Sequence, residues 1–130
     1  MNIKFPLLAI FLVGSLIISC DKDKDPITEE SISPIVETDL PETGNVGQEI
    51  IFTVRHAVFN GCGYYSSQNT VKDGLTFSVT FYAKYRDGFC TMNVPTLGTD
   101  YKFVPSTSGT YTFKFDRGEQ EDLVQSIIIN

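Results

Sequence analysis

The chain has 130 residues, with 10 lysines and arginines against 16 aspartates and glutamates, a formal net charge of −6, one histidine and no tryptophan. This acidic balance makes it a poor partner for nucleic acid or anionic lipid surfaces, which are bound through basic side chains. The length suits one domain with one hydrophobic core.

From the N-terminus, Lys4 supplies a positive charge and residues 5–18 form an apolar run of signal-peptide length. A membrane-spanning helix wants about 20 apolar residues, more than this run offers. Ile17-Ile18-Ser19-Cys20 closes the run, and Asp21-Lys22-Asp23-Lys24-Asp25 follows at once. The segment resembles the lipobox of bacterial lipoproteins, which are cut before the cysteine and acylated on it. That resemblance implies a signal peptide over residues 1–19 and a mature chain that begins at Cys20 and is anchored to a membrane by its acyl chains. Two or more such chains hold a protein stably where one does not. Lys4 is the only charge among residues 1–19, so cleavage takes the net charge from −6 to −7. Residues 20–32 read as a charged, extended tether. Acidic residues directly after the acylated cysteine are similar to the export tag of Bacteroidota lipoproteins, which implies the outer face of the outer membrane ahead of its periplasmic face.

Beyond the tether the chain alternates with period 2 and shows no helical stripe, so residues 33–130 are expected to form an all-β domain. A first strand is predicted over residues 35–38. In residues 49–58, Ile50, Phe52, Val54 and Val58 take one face, with His56 falling on the same side. In residues 75–86, Leu75, Phe77, Val79, Phe81, Ala83 and Tyr85 form the core face, and Thr76, Ser78, Thr80, Tyr82, Lys84 and Arg86 the polar one. Asp87-Gly88 reads as a tight hairpin turn with residues 89–94 as the returning strand. Pro95 and Gly98 are expected to break that strand before a short one over residues 101–104. Residues 110–116 put Tyr111, Phe113 and Phe115 on one face, and residues 123–130 close the domain through Leu123, Ile127 and Ile129. About seven strands of this composition predict an antiparallel β-sandwich.

Thr107-Ser108-Gly109-Thr110-Tyr111-Thr112-Phe113 resembles the run into strand F of immunoglobulin-like domains. There a tyrosine two residues before the second core cysteine bonds back to the preceding turn. The resemblance implies that Tyr111 is this corner tyrosine and that Phe113 takes the cysteine position. Gly47-Gln48-Glu49-Ile50-Ile51-Phe52 is similar to the strand B start of bacterial Ig-like repeats. With Phe113 in place of cysteine and no tryptophan, the implied fold is a bacterial Ig-like sandwich rather than an antibody-type domain.

With Cys20 assigned to lipid, Cys62 and Cys90 remain in a compartment that permits oxidation, and a pair is expected ahead of two reduced thiols. A bridge between them would close a loop of 28 residues, and loops of this size stabilise by about 3 to 4 kcal/mol in the chain-entropy model. Two thiols and the distant His56 lack metal-ligand spacing. His56 reads as a structural histidine, since no nucleophile elbow or Cys/His pattern accompanies it. Asp116, Glu119, Glu121 and Asp122 crowd one hairpin loop without calcium-loop spacing, and read as solvated. The run from Asn60 to Asn69 reads as a loop in which glycines beside a disulfide and tyrosines packing a strand edge are the first expectation; Tyr64 and Tyr65, with Tyr82 on the polar strand face, are also the candidate ligand contacts, because tyrosine buries much area at little entropic cost.

No catalytic constellation or cofactor motif is evident, so a noncatalytic binding or adhesion module at the cell envelope, meeting an extracellular glycan or protein, is the leading expectation. The alternatives are a structural accessory subunit docking onto an envelope complex through a sheet edge and, more remotely, a small hydrolase.

Overall fold

The computed structural model describes residues 29–130, so the expected signal peptide, Cys20 and most of the tether lie outside the described residues. Nine strands occur among the described residues: β1 (Ser31–Ile32), β2 (Ile35–Thr38), β3 (Thr43–Gly44), β4 (Ile50–Ala57), β5 (Gly63–Asp73), β6 (Thr76–Tyr85), β7 (Thr96–Phe103), β8 (Gly109–Arg117) and β9 (Gln120–Ile129). They form the expected β-sandwich: six of the expected seven strands are present, and two short strands and β5 are added. β1 draws Ser31 and Ile32, two residues assigned to the tether, into the sheet opposite Ala83 and Tyr82.

The larger sheet runs β5, β6, β8, β9, β3, with β1 pairing the last residues of β6 in the lane that β8 occupies lower down. The smaller sheet is β2, β4, β7. Not every ladder is antiparallel: β6 runs parallel to β8, and β3 parallel to β9. The first of these is possible because the chain leaves β6, crosses to the other sheet as β7 and only then returns as β8. Parallel neighbours need such a long connection.

Burial follows the alternation where the sequence has it. Ile50, Phe52, Val54 and His56 of β4 are buried, as are Phe77, Val79, Phe81 and Ala83 of β6, and Tyr111, Phe113 and Phe115 of β8. Phe113 stands where the two sheets meet. Its ring centroid lies 5.9 Å from Phe52, 6.1 Å from Tyr101 and 5.1 Å from Phe103 in the smaller sheet, and 5.2 Å from Phe77 and 5.6 Å from Phe115 in its own. An aromatic cluster centred on Phe113 thus joins the two sheets. The corner expected at Tyr111 is present: its hydroxyl donates to the Thr107 carbonyl at 2.8 Å. Gly109 opens β8 at φ +140°, a backbone conformation that side chains resist.

Four expectations are corrected. Asp87-Gly88 is no hairpin turn, and residues 89–94 form no strand. The segment folds back instead so that Cys90 reaches Cys62, and Phe89 points fully into solvent. The antiparallel partner of β6 is β5, which precedes it and takes in most of the expected loop from Asn60 to Asn69. Gly98 does not break a strand. It lies within β7, paired with Arg55.

Candidate functional site

The sole histidine belongs to a buried polar centre. His56 and Ser33 are both wholly inaccessible. Ser33 Oγ lies 2.7 Å from Nδ1 of His56 and donates to the carbonyl of Ala57 at 2.6 Å, while Thr99 Oγ1 lies 2.8 Å from Nε2. Phe81 and Tyr65 pack against the ring, at centroid distances of 5.1 and 5.9 Å. Burial depresses the pKa of His56, because the charged imidazolium is disfavoured away from water. A serine at hydrogen-bonding distance from a histidine resembles a nucleophile and its base, yet this serine gives its proton to a carbonyl and meets no solvent. The arrangement holds the ring in place, as a structural histidine requires. Sequence reading missed Ser33 and Thr99. Their one signal is Thr99 itself, a polar residue on the inward side of β7 between Leu97 and Tyr101.

Cys62 and Cys90 form a disulfide with their Cα atoms 5.2 Å apart. It joins the β4–β5 connection to the β6–β7 connection at one pole of the sandwich. Backbone bonds from Gly61 N to the Thr91 carbonyl and from Arg86 N to the Cys62 carbonyl, at 3.0 and 3.1 Å, knit the same loops. A side chain at position 61 would run into Thr91. Phe59 closes the assembly by stacking on Tyr85 at 5.7 Å, with its amide donating to the Tyr85 hydroxyl.

Strand pairing decides where the three candidate tyrosines point. Tyr65 pairs with buried Ala83, so it faces inward, half-buried, onto His56 and Phe81. Tyr64 pairs with Lys84 and Tyr82 with Ser67, so both face outward, each half-buried. The structure therefore brings Tyr64 and Tyr82 onto one surface and turns Tyr65 away from it. The Arg86 guanidinium lies over the Tyr64 ring at 5.0 Å. On its other side Tyr82 neighbours Ile32 of β1. Glu30 accepts bonds from Ser66 and Ser67, which hold its carboxylate pKa down, aided by Lys84.

From Ile32 this surface leads into a groove of about 850 Å³ between the β1–β2 segment and the β8–β9 hairpin. Ile32, Pro34, Val36, Ala57 and Phe59 supply an apolar wall, and residues 117–120 the polar rim. Ile32, Val36 and Phe59 stay exposed by 40, 44 and 62%, so the wall is open to a ligand. Ser31 Oγ, also on the lining, has no hydrogen-bond partner among the described residues. The groove was illegible in sequence, since its two sides are some 80 residues apart and meet only in the folded sandwich, where Pro34 lies against Gly118 and Thr38 bonds to Gln125.

The acidic hairpin is tighter than a loop. Asp116 lies in β8, while Glu121 and Asp122 lie in β9. Among the described residues no group of three or more His, Cys, Asp or Glu side chains is placed to hold a metal ion. Residues 52–125, more than half of the chain, match the family of the ORF11 beta-sandwich domain. No curated protein and no solved structure matches the chain.

Proposed function

We propose that this chain, which belongs to the ORF11 beta-sandwich domain family, is a noncatalytic, lipid-anchored binding module of the bacterial cell envelope, held by acylated Cys20 and displayed at the outer face of the outer membrane. The lipobox at residues 17–20 and the charged residues after it support the anchor and its placement. The Cys62–Cys90 disulfide fits an oxidising compartment. Ser33 and His56, the nearest approach to a catalytic pair, are sealed from substrate, which favours a binding role.

One observation carries the binding reading: the open apolar groove, continued outward by Tyr82 and Tyr64. Exposed Ile32, Val36 and Phe59 suit apolar side chains of a protein partner, since recognition sites combine an apolar wall with a few polar groups. Arg117, Glu119 and Gln120 on the rim supply those groups. A protein ligand fits this lining better than a glycan, which presents mostly hydroxyls.

Two measurements test the proposal. Protease shaving of intact cells, with a periplasmic protein as lysis control, removes the fragment carrying Tyr64 if the domain is outside; survival until the outer membrane is opened rejects surface display. A photo-crosslinking residue at Val36 should trap a specific protein, and one at exposed Lys114 should not. Val36→Asp should abolish that capture without unfolding the domain. Equal capture from both positions refutes the groove. Copurification with one envelope protein at fixed stoichiometry would favour the accessory-subunit reading instead.

A further inference from the structure

The pole stapled by the disulfide also carries apolar side chains that the core does not use. Phe89 is fully exposed, Met92 is 91% exposed, Val94 63% and Phe59 62%. They do not hang on loose loops. The Cys62–Cys90 bond, the Gly61 to Thr91 backbone bond and the Val58 N to Pro95 carbonyl bond at 3.1 Å fix both connections. Exposed apolar side chains grouped on one part of a surface, unlike ones scattered singly, mark a contact surface.

The path of the chain identifies the cover. β1 is antiparallel to β6, with Ser31 opposite Ala83 and Ile32 opposite Tyr82. That register sets Glu29 and Glu30 level with the end of β6, and Glu30 is tied there to Ser66 and Ser67. The chain from Cys20 therefore joins the domain at the same pole as Phe89 and Met92. Eight residues lie between Cys20 and Glu29, a reach of at most about 30 Å when fully extended. The far pole lies another ~33 Å away, the length of a ten-residue strand such as β6. A domain tethered in this way meets its own bilayer first with Phe89, Met92 and Val94.

We propose that this pole, led by Phe89 and Met92, is a membrane-contact surface that seats the sandwich on the bilayer in which Cys20 is anchored. The inference rests on the lipid-anchor reading and deepens it: the groove, on the flank of this pole, then faces a partner close to the membrane. Contact is apolar, because Asp87, Glu119 and Glu121 near the pole oppose attraction to anionic lipid. Anionic lipid therefore does not strengthen binding.

The chain lacks tryptophan, so Phe89→Trp provides a single probe at an exposed site, with Val46→Trp in the turn before β4 as the reference at the far pole. Each acylated full-length protein is placed in zwitterionic vesicles containing brominated acyl chains, and the mass of its N-terminal fragment is recorded. The expected result is blue-shifted, quenched emission from Phe89→Trp and unquenched emission from Val46→Trp, with no increase in quenching when anionic lipid is added. Absence of acyl mass on Cys20 overturns the anchor reading and this inference with it. Acyl mass with an unquenched Phe89→Trp, or with equal quenching at both sites, overturns this inference alone. So does protection of Phe89→Trp from both lipid and aqueous quenchers with cross-linking between copies, which would show that a second copy covers the pole.

Discussion

Ser33 Oγ stands 2.7 Å from Nδ1 of His56 while donating its only proton to the carbonyl of Ala57. Toward the ring that hydroxyl is therefore an acceptor, Nδ1 carries the proton, and Nε2 receives one from Thr99 at 2.8 Å. A neutral imidazole satisfied at both nitrogens matches the lowered pKa that burial imposes. Polar groups inside a core need such partners, because a buried group left unpaired costs about 1 to 3 kcal/mol.

The first prediction is a loss of stability in mild acid. An unfolded histidine titrates near pH 6.5, and the folded ring titrates lower. Above 6.5 both states are neutral and the full stability is present. Below it the unfolded chain takes up a proton that the folded ring refuses, so stability falls by about 1.4 kcal/mol per pH unit until pH passes the folded pKa. Below the folded value this residue removes nothing more. Urea unfolding should show less stability at pH 5.5 than at 7.5, and NMR should show the folded ring titrating below the unfolded value. A folded ring that titrates near 6.5 would refute the assignment.

Tyr111 separates the ring and hydroxyl contributions of the corner. Its ring sits 5.7 Å from Phe77 and 6.1 Å from Phe103, while its hydroxyl holds Thr107. Tyr111→Phe keeps the ring and removes one net hydrogen bond, an expected cost of about 1 kcal/mol. Tyr111→Ala removes both and should cost about 3 to 5 kcal/mol. Hydrogen exchange in Tyr111→Phe should quicken in the turn around Thr107 and nowhere else. Global quickening would mean that the hydroxyl acts beyond the corner.

Legibility in the sequence tracked how far each residue's environment was set by its chain neighbours. β4, β6 and β8 were readable because alternate residues enter one core, and the corner was readable because Tyr111 and Thr107 are four residues apart. β5 was not. It is an edge strand with side chains half-exposed on both faces, so Tyr64 to Asn69 carry no alternation, and pairing with β6 alone makes them a strand. Asp87-Gly88 gave a local turn signal that the Cys62–Cys90 bond overrode. At the candidate site the cysteine pair followed from counting. The groove did not, because Val36 and Gln120 come together only through tertiary pairing, and the inward turn of Tyr65 depends on a β5 register that the local sequence does not carry.

The staple should matter more than its surface position implies. Cys62 and Cys90 close a 28-residue loop that contains all of β5 and β6, and the unfolded chain loses conformational freedom accordingly. Cys62→Ser combined with Cys90→Ser, or reduction, should cost about 3 kcal/mol and lower Tm by roughly 15 °C. Calorimetry with and without reductant measures this directly. An unchanged Tm would show that the backbone bonds between the loops suffice.

Phe113 offers the complementary test of how the sheets are joined. Its ring meets Phe52, Tyr101 and Phe103 across the sandwich, so Phe113→Ala opens a cavity in the interface and should cost about 3 to 5 kcal/mol. Domains of this size have about 5 to 15 kcal/mol in all, which leaves the variant folded but marginal. The staple lies at the pole and Phe113 in the centre, without shared partners, so the two losses should add to within about 0.5 kcal/mol. Reduction of Phe113→Ala should then bring the domain to the edge of unfolding at room temperature, read by near-ultraviolet circular dichroism. Losses well short of additive would mean that the staple also orders the aromatic cluster.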